Sequence, residues 1–434
     1  MDLPRQAPTA GVANHGAPPG ILRSNRDFRI FWTGEAISQF GGQITLLALP
    51  LTALLVLDAN TQDLGILRFF EYLPFLLFGL PFGVLADRTR RRPLLIVANA
   101  GRAALVGLVP LLTIAAALNL AVLYATTFGV GALTVLFDVS LIAYLPTLVG
   151  PDRLLAANSL VTMSFATAEV SGPGLAGVLV RFLTAPICLA LNAVSYLVSV
   201  VSLCLIRSGE PAVSASHRSA WDDLGAGLGF LFRTSALRAV AISGAIYNFA
   251  WVLCQAAFLV YGESELHINV ALIGTILAVG ASGGIGGAAT AAWLSRRFRF
   301  GRMFVIVVVT GTVPSLLIPV VSAASAIQIS AFAALFFVMN CALGIYNVFT
   351  STLRQVMTPG RLLGRIAAGY RMLVFGGLAL GGIVTAVLGG IIGPRAILVI
   401  AGLAFLTSVV PIVLSPIPGL AVIPTAPAPE PPER

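Results

Sequence analysis

Seven charged side chains interrupt long apolar segments of this chain, and they are the residues best suited to chemistry. A charge at the middle of a membrane costs about 2.5–3.5 kcal/mol on insertion scales. Each of them must therefore be paired, neutral or in contact with a water-filled cavity, which suits them to moving protons or binding charged groups. They are Glu35, Glu71, Asp138, Glu169, Arg68, Arg102 and Arg371.

Ion pairs account for part of this set. Arg68 and Glu71 are three residues apart on one helix face and can pair locally. Arg102 is predicted at a depth similar to that of Glu35 and can pair with it. Asp138 and Glu169 then have no basic partner in their half of the chain.

An unpaired carboxyl in a medium of low dielectric constant favours its neutral form and takes up a proton. Because a proton-coupled carrier needs such groups, we predict proton coupling at Glu169 and Asp138, with Glu35 as a further candidate. Two alternatives stay open. In one, the acids are permanently protonated and hydrogen-bonded. In the other, they form an ion pair with Arg371, the one of the seven charged residues that lies in the second half.

Membrane-spanning helices must position these charges. Of the 434 residues, 58% are hydrophobic and 10% are charged, whereas soluble domains carry about 25% charged residues. A helical crossing needs roughly 20 apolar residues, so the chain predicts an all-α membrane protein with twelve spans. The predicted spans are 29–57, 63–86, 94–117, 120–147, 156–181, 184–206, 236–262, 269–294, 303–322, 325–357, 365–391 and 393–415.

An internal repeat divides the spans into two halves of six. "GPDRLLAAN" at 150–158 matches "TPGRLLGRI" at 358–366 with an offset of 208 residues. Parallel halves with the substrate site between them are known in secondary transporters. The predicted organisation is a flexible tail (1–27), a first half (28–206), a polar linker (207–235), a second half (236–415) and a proline-rich tail (416–434).

The composition excludes several classes of protein. All 26 basic residues are arginine, so a lysine-dependent phosphate loop and a lysine Schiff base are both absent. The three histidines and four cysteines are isolated, and no nucleophile–base group is present. We therefore predict no enzyme activity, no cofactor, no metal site and no nucleic-acid partner.

The arginines also predict the orientation. With both termini cytoplasmic, 20 arginines fall in tails, in cytoplasmic loops or at the cytoplasmic ends of spans, four (Arg68, Arg102, Arg354 and Arg371) fall within spans, and only Arg181 and Arg395 fall in or beside external loops. This asymmetry follows the positive-inside rule. It predicts a multi-pass protein of the cell (inner) membrane, and it explains the net charge of +9 as a topological signal.

The loop between the second and third spans resembles the signature loop of the major facilitator superfamily. That loop usually has a glycine, three residues, Asp-Arg, and then a glycine followed by basic residues. Arg90 stands where the superfamily has its second glycine. The matching residues are Gly83, Asp87, Arg88, Arg91 and Arg92.

Shorter stretches resemble one branch of this superfamily. Residues 28–50 and 144–160 resemble macrolide efflux proteins and enterobactin-type siderophore exporters. "SGPGLAG", with Gly172, Pro173 and Gly177, resembles the antiporter motif of drug exporters.

The superfamily resemblance implies a role for Asp87 as a conformational latch. Its carboxylate would accept hydrogen bonds from the start of span eleven near Arg365, where helix amides carry partial positive charge. This contact would hold the halves together when the cytoplasmic side is closed. The alternative is that Asp87 caps its own loop beside Arg88.

In this superfamily spans one, seven and ten line the central cavity, so the resemblance assigns their polar and aromatic residues to substrate. Hydrogen bonding between helices is the alternative for the amides, and ordinary packing is the alternative for the tryptophan. The candidates are Gln39, Gln43, Asn248, Trp251, Gln255, Asn340 and Asn347.

The function predicted from the sequence is a monomeric secondary carrier in the lipid bilayer that exports a small organic compound in exchange for protons. The expected substrate is amphipathic, such as a drug, an antibiotic or a siderophore-like metabolite. The alternatives are an importer, a lipid-moving member of the superfamily, and a transport-inactive membrane scaffold.

The arginine distribution makes a topological prediction. Tags at either terminus or within 207–235 should be inaccessible from outside intact cells, whereas a tag beside Glu263 should be labelled. Labelling with an impermeant reagent before and after permeabilisation measures this. A terminus labelled in intact cells would contradict the orientation.

Overall fold

The structure, a computed structural model, describes residues 21–210, 220–321, 325–359 and 362–422. Twelve helices in these ranges are long and apolar enough to cross a membrane. We number them in chain order as α1 (Arg26–Val56), α2 (Thr61–Arg88), α3 (Arg91–Ile114), α4 (Leu120–Val149), α5 (Leu154–Leu183), α6 (Ala185–Leu205), α7 (Ser235–Glu265), α8 (Val270–Arg297), α9 (Phe300–Val320), α10 (Ala326–Met357), α11 (Leu363–Gly389) and α12 (Pro394–Val413). The twelve predicted spans are confirmed, each within three residues at both ends.

The helices also follow the internal repeat. Adding the offset of 208 to α2 gives 269–296, and the corresponding helix of the second half, α8, is Val270–Arg297. Because the number of spans is even, the chain enters and leaves the bundle on one side. We call this the tail side, and we call the opposite side the far side.

Asparagines fix where several helices begin. Asn60 accepts a hydrogen bond from the amide of Asp63, whose carboxylate accepts one from the amide of Asn60, which completes a capping box at α2. Asn119 and Asn269 cap α4 and α8 in the same way through their side-chain oxygens. Each cap satisfies amides that have no partner inside the helix.

The boundaries of the predicted tails need correction. Residues 21–27 are ordered: Ile21 is buried at the start of a short helix, Ile21–Ser24, and Asn25 caps α1. Residues 416–422 lie against the start of α9, where the amides of Phe300 and Gly301 donate to the carbonyls of Ala421 and Leu420 at 3.1 and 2.9 Å. Unpaired amides at a helix start favour such a contact. Residues 1–20 and 423–434 lie outside the described ranges.

The predicted linker contains a helix. It spans Ala220–Arg233, and we call it the linker helix. Gly227 approaches the backbone of Arg365, which places the linker helix on the tail-side end of α11. Residues 211–219 lie outside the described ranges.

The two halves meet closely on the far side. Gly65 of α2 lies against the backbone of Ala386 of α11, and a β-carbon on Gly382 would lie 2.5 Å from the amide nitrogen of Phe69. In the other seam, a β-carbon on Gly177 of α5 would lie 2.9 Å from the α-carbon of Gly274 of α8. Small residues allow this close backbone approach between membrane helices.

The same helices separate toward the tail side. A β-carbon on Gly79 or Gly83 of α2, or on Gly364 of α11, would have no other atom within 4 Å. The halves are therefore closed on the far side and open on the tail side.

Paired glycines on α2 test the far-side seam. We expect Gly65→Ala to destabilise the protein by about 1–3 kcal/mol, because its β-carbon meets the backbone of α11. Gly79→Ala is the matched control and should be neutral or slightly stabilising, because its β-carbon meets nothing and alanine favours helix. Thermal unfolding in detergent measures both, and equal midpoints for the two variants would contradict the seam.

Candidate functional site

A cavity of about 610 Å³ lies within the first half, and we call it the N cavity. Its lining residues all come from α1–α6. Five of the seven predicted membrane charges line it: Glu35, Arg68, Glu71, Arg102 and Asp138. The fold thus collects charges from four different helices around one space.

A smaller cavity of about 200 Å³ lies between the halves, and we call it the interface pocket. The first half contributes Gln43 and Glu169 to it, and the second contributes Trp251, Gln255 and Asn340. Gln43, Arg68 and Tyr72 line both spaces, so the interface pocket adjoins the N cavity.

Arg68 and Glu71 form the predicted local ion pair. Nη1 of Arg68 donates to Oε2 of Glu71 at 2.6 Å, and Arg68 is only 5% exposed. This pair neutralises two of the charges that α2 carries into the bilayer.

Arg102 does not form the predicted ion pair with Glu35. Its guanidinium lies between two rings, 4.3 Å from the centroid of Phe137 and 4.5 Å from that of Tyr196, and it donates to Oδ1 of Asn99. Cation–π contacts of this kind are attractive, and they hold Arg102 away from Glu35. Glu35 instead accepts a hydrogen bond from Nε2 of Gln39 at 3.1 Å, and its Oε2 is buried without a partner among the described residues.

Asp138 of α4 lies near a charged residue of each half. It interacts electrostatically with Arg102 of its own half and with Arg371 of α11. Within the described part of the chain neither arginine approaches it to ion-pair distance, 4 Å or less. The predicted alternative, an ion pair between Asp138 and Arg371, is therefore not formed in this conformation.

Glu169 lies beside the far-side seal. It precedes Gly172, which packs against Gln43 of α1, and Pro173, whose carbonyl oxygen lies close to Gly274 of α8. Helix α5 continues through Pro173 without interruption. The Glu169 side chain is exposed to the interface pocket, and no arginine nitrogen in the described ranges lies within 4 Å of it.

The signature loop binds an acid that the sequence did not single out. The amides of Arg91 and Arg92, at the start of α3, donate to Oε1 and Oε2 of Glu210 at 2.8 and 3.2 Å. Arg92 also donates from Nε to the carbonyl of Leu203 at 2.9 Å. Carboxylates stabilise helix N-termini, so these contacts attach the start of α3 to the end of α6.

Asp87 is exposed and makes no hydrogen bond or ion pair with any described residue. Arg88 is exposed beside it, and Gly83 has open space around it. The predicted contact of Asp87 with the start of α11 is therefore absent while the tail side is open.

The predicted cavity residues separate into two groups. Gln39 lines the N cavity, and Gln43, Trp251, Gln255 and Asn340 line the interface pocket. Asn248 lines neither space and donates to the carbonyl of Gly244 at 2.8 Å, which is a bond within α7 and neither a cavity position nor the predicted bond between helices. Asn347 also lines neither space and is exposed on α10.

Sequence reasoning missed several aromatic members of the site. Tyr72, Phe75 and Tyr196 line the N cavity, and Phe336 lines the interface pocket. Aromatic residues are frequent in apolar spans, so type alone does not separate them from lipid-facing rings. The position of Tyr72 directly after Glu71 was the one available signal.

Twelve spans in two repeated halves, with a charged cavity in the first half and a pocket between the halves, define a secondary transporter of the major facilitator fold. The chain matches the transmembrane secretion effector family of this superfamily over residues 21–433 and belongs to it. This membership identifies a transporter rather than an enzyme.

Two uncharacterised transporters of the superfamily are similar in sequence. The chain is 23% identical to YfiS of Bacillus subtilis over 379 residues, which cover 84% of this chain and 88% of YfiS. It is 29% identical to y4rN of Sinorhizobium fredii over 145 residues, which cover 33% of this chain and about a third (36%) of y4rN.

Solved structures share the fold at low sequence identity. The nucleoside transporter NupG matches with a TM-score of 0.72 and 13% identity, covering 89% of this chain and 98% of NupG. A bacterial homologue of the iron transporter ferroportin in an inward-facing state matches with a TM-score of 0.72 and 17% identity, covering 89% of this chain and 98% of the homologue. For an outward-facing state of such a homologue the TM-score is 0.57.

Proposed function

We propose that this protein is a proton-coupled exporter of amphipathic organic compounds, such as a drug, an antibiotic or a siderophore-like metabolite. It acts as a monomer in the cell (inner) membrane with both termini in the cytoplasm. The observation that carries the proposal is the position of Glu169, an acid that has no basic partner among the described residues and lies where the interface pocket meets the far-side seal.

Glu169 is placed to sense which side of the carrier is open. In the tail-open conformation its side chain is exposed to the interface pocket, so water can solvate the charged form. Helix α5 carries both Glu169 and the Pro173–Gly177 segment that packs against α8. Opening the far side must separate this seam, and that movement changes the environment of the carboxyl. Proton uptake and release would then be tied to the direction of opening.

The lining of the interface pocket supports an amphipathic substrate. Trp251 and Phe336 supply aromatic surface, and Gln255 and Asn340 supply amide groups from the second half. Pockets for small organic molecules typically combine a mostly apolar lining with a few polar groups that fix orientation. The charged N cavity beside it gives the polar end of such a substrate a solvated environment.

Three observations support the orientation and the latch. The arginine asymmetry favours a cytoplasmic tail side. The open tail side and the higher TM-score to an inward-facing relative then agree with a cytoplasm-facing conformation. In that conformation Asp87 has no partner in the part of the chain that the structure describes, as expected for a latch that forms when the tail side closes. The resemblance to macrolide and siderophore exporters favours export over the alternative of import.

Replacing the coupling acid should separate binding from pumping. We expect Glu169→Gln to abolish export driven by a pH gradient and to leave substrate binding and downhill exchange largely intact, because the amide keeps size but cannot release a proton. Asp138→Asn should do the same if the two acids act together. Transport of a fluorescent substrate into inside-out vesicles, with an uncoupler as control, measures both.

Glu265→Gln, an exposed acid at the far-side end of α7, is the matched control and should pump normally. Should Glu169→Gln still concentrate substrate with unchanged pH dependence, Glu169 has a structural role and coupling belongs to Asp138 or Glu35. Uptake of substrate into cells rather than extrusion would favour the importer.

The latch makes a separate prediction. Asp87→Asn should reduce transport strongly while expression and thermal stability stay near normal, because the carboxylate has no partner in the tail-open structure and acts only when that side closes. Asp152→Asn, at another exposed tail-side acid, is the control. If the Asp87→Asn variant transports at the rate of the unmodified protein, the latch is wrong and Asp87 serves as a topology signal.

A further inference from the structure

An apolar groove of about 490 Å³ lies on the outside of the bundle, away from both cavities of the candidate site. Leu76 of α2 forms one wall, Phe249 of α7 and Gly376 of α11 form others, and Phe232 of the linker helix lies toward the tail-side end. All of its lining residues are apolar. Both halves of the transporter contribute to it.

A stacked aromatic pair separates this groove from the N cavity. The rings of Phe75 and Phe375 lie 4.1 Å apart at their centroids with an interplanar angle of 8°. Phe75 lines the N cavity, whereas the next residue, Leu76, lines the groove. The groove therefore faces the bilayer.

Two arginines lie at the tail-side end of the groove. Arg238 precedes Ala245, a lining residue of α7, by seven residues, which places it on the same helix face about 10.5 Å nearer the tail side. Its Nη1 donates to the carbonyl of Phe232 at 3.1 Å, and Arg233 follows directly. Both arginines are exposed, and no described carboxylate oxygen lies within 4 Å of either.

We propose that this groove binds an anionic phospholipid of the cytoplasmic leaflet, on the orientation proposed above. One acyl chain fills the apolar groove, and the headgroup phosphate contacts Arg238 and Arg233. Arginine binds phosphate through directed, charge-assisted hydrogen bonds, and juxtamembrane basic residues attract anionic lipids. Because Leu76 belongs to the first half and the other walls to the linker helix and the second half, the bound chain stabilises the tail-open arrangement in which the groove exists.

The thermal stability of the purified full-length protein in detergent tests this site. We compare phosphatidylglycerol with phosphatidylcholine of identical acyl chains, each added at increasing mole fraction. Phosphatidylglycerol should raise the unfolding midpoint more than phosphatidylcholine. Gly376→Leu, which fills the groove, should abolish the increase with either lipid, and Arg238→Gln should abolish only the difference between them.

Two variants control for nonspecific effects. Gly286→Leu replaces a glycine of α8, outside the groove, whose β-carbon would meet no atom within 4 Å, and Arg302→Gln replaces another exposed tail-side arginine, on α9. Both should retain the unmodified lipid response. The proposal is wrong if the two lipids stabilise the unmodified protein equally, or if Gly376→Leu retains the full response.

Fluorescence quenching gives a second readout that does not depend on the stability of the groove variants. Brominated phosphatidylglycerol should quench a tryptophan at Phe249→Trp at a lower mole fraction than one at Ile306→Trp, which is exposed on α9. Adding Arg238→Gln should remove this preference. Equal quenching at both positions would mean ordinary annular lipid, and displacement of the lipid by a transported dye would mean a substrate path. Either result overturns the proposal.

Discussion

Charge placed in hydrocarbon is the constraint on which the rest of this structure depends. Each charged side chain at mid-membrane costs a few kcal/mol unless a partner or water compensates it. The first half meets this requirement in three ways: Arg68 pairs with Glu71, Arg102 lies between two aromatic rings, and Asp138 lines a cavity. The N cavity compensates several of these charges, because without it they would have neither a partner nor water. The charges therefore require the cavity that they line.

The division of chemistry between the halves follows from the same constraint. The charges lie almost entirely in the first half, whereas the second half supplies aromatic and amide groups to the interface pocket. In the described ranges of the second half, Arg371 interacts electrostatically with an acid of the first half, Asp138. A substrate between the halves therefore contacts a titratable wall on one side and an apolar, hydrogen-bonding wall on the other. This asymmetry supports the proposed division, in which the first half handles protons and the second recognises an organic molecule.

Contacts between the halves are made of backbone and small side chains on the far side. Glycines of α2, α5, α8 and α11 allow these helices to approach until their main chains touch. No ion pair of the described residues joins the two halves, so these seams can open without exposing unpaired charge to lipid. The polar contacts of the signature loop, by contrast, stay within the first half through Glu210. The interface between the halves thus depends on close backbone packing, whereas the signature loop depends on polar contacts.

Much of this protein was determined by the sequence alone, because hydrophobic length and arginine asymmetry are local properties. The twelve spans, the 208-residue repeat and the Arg68–Glu71 pair could all be predicted from residue type and spacing. Only the tertiary structure decided that Arg102 lies against Phe137 and Tyr196 instead of Glu35, that Glu210 binds the start of α3, and that Asn248 turns back to its own helix. These outcomes depend on helix rotation and on distances between residues up to 119 positions apart. Helical periodicity predicts which residues share one face of a helix. Packing across the whole bundle decides which residues of the neighbouring helix that face contacts.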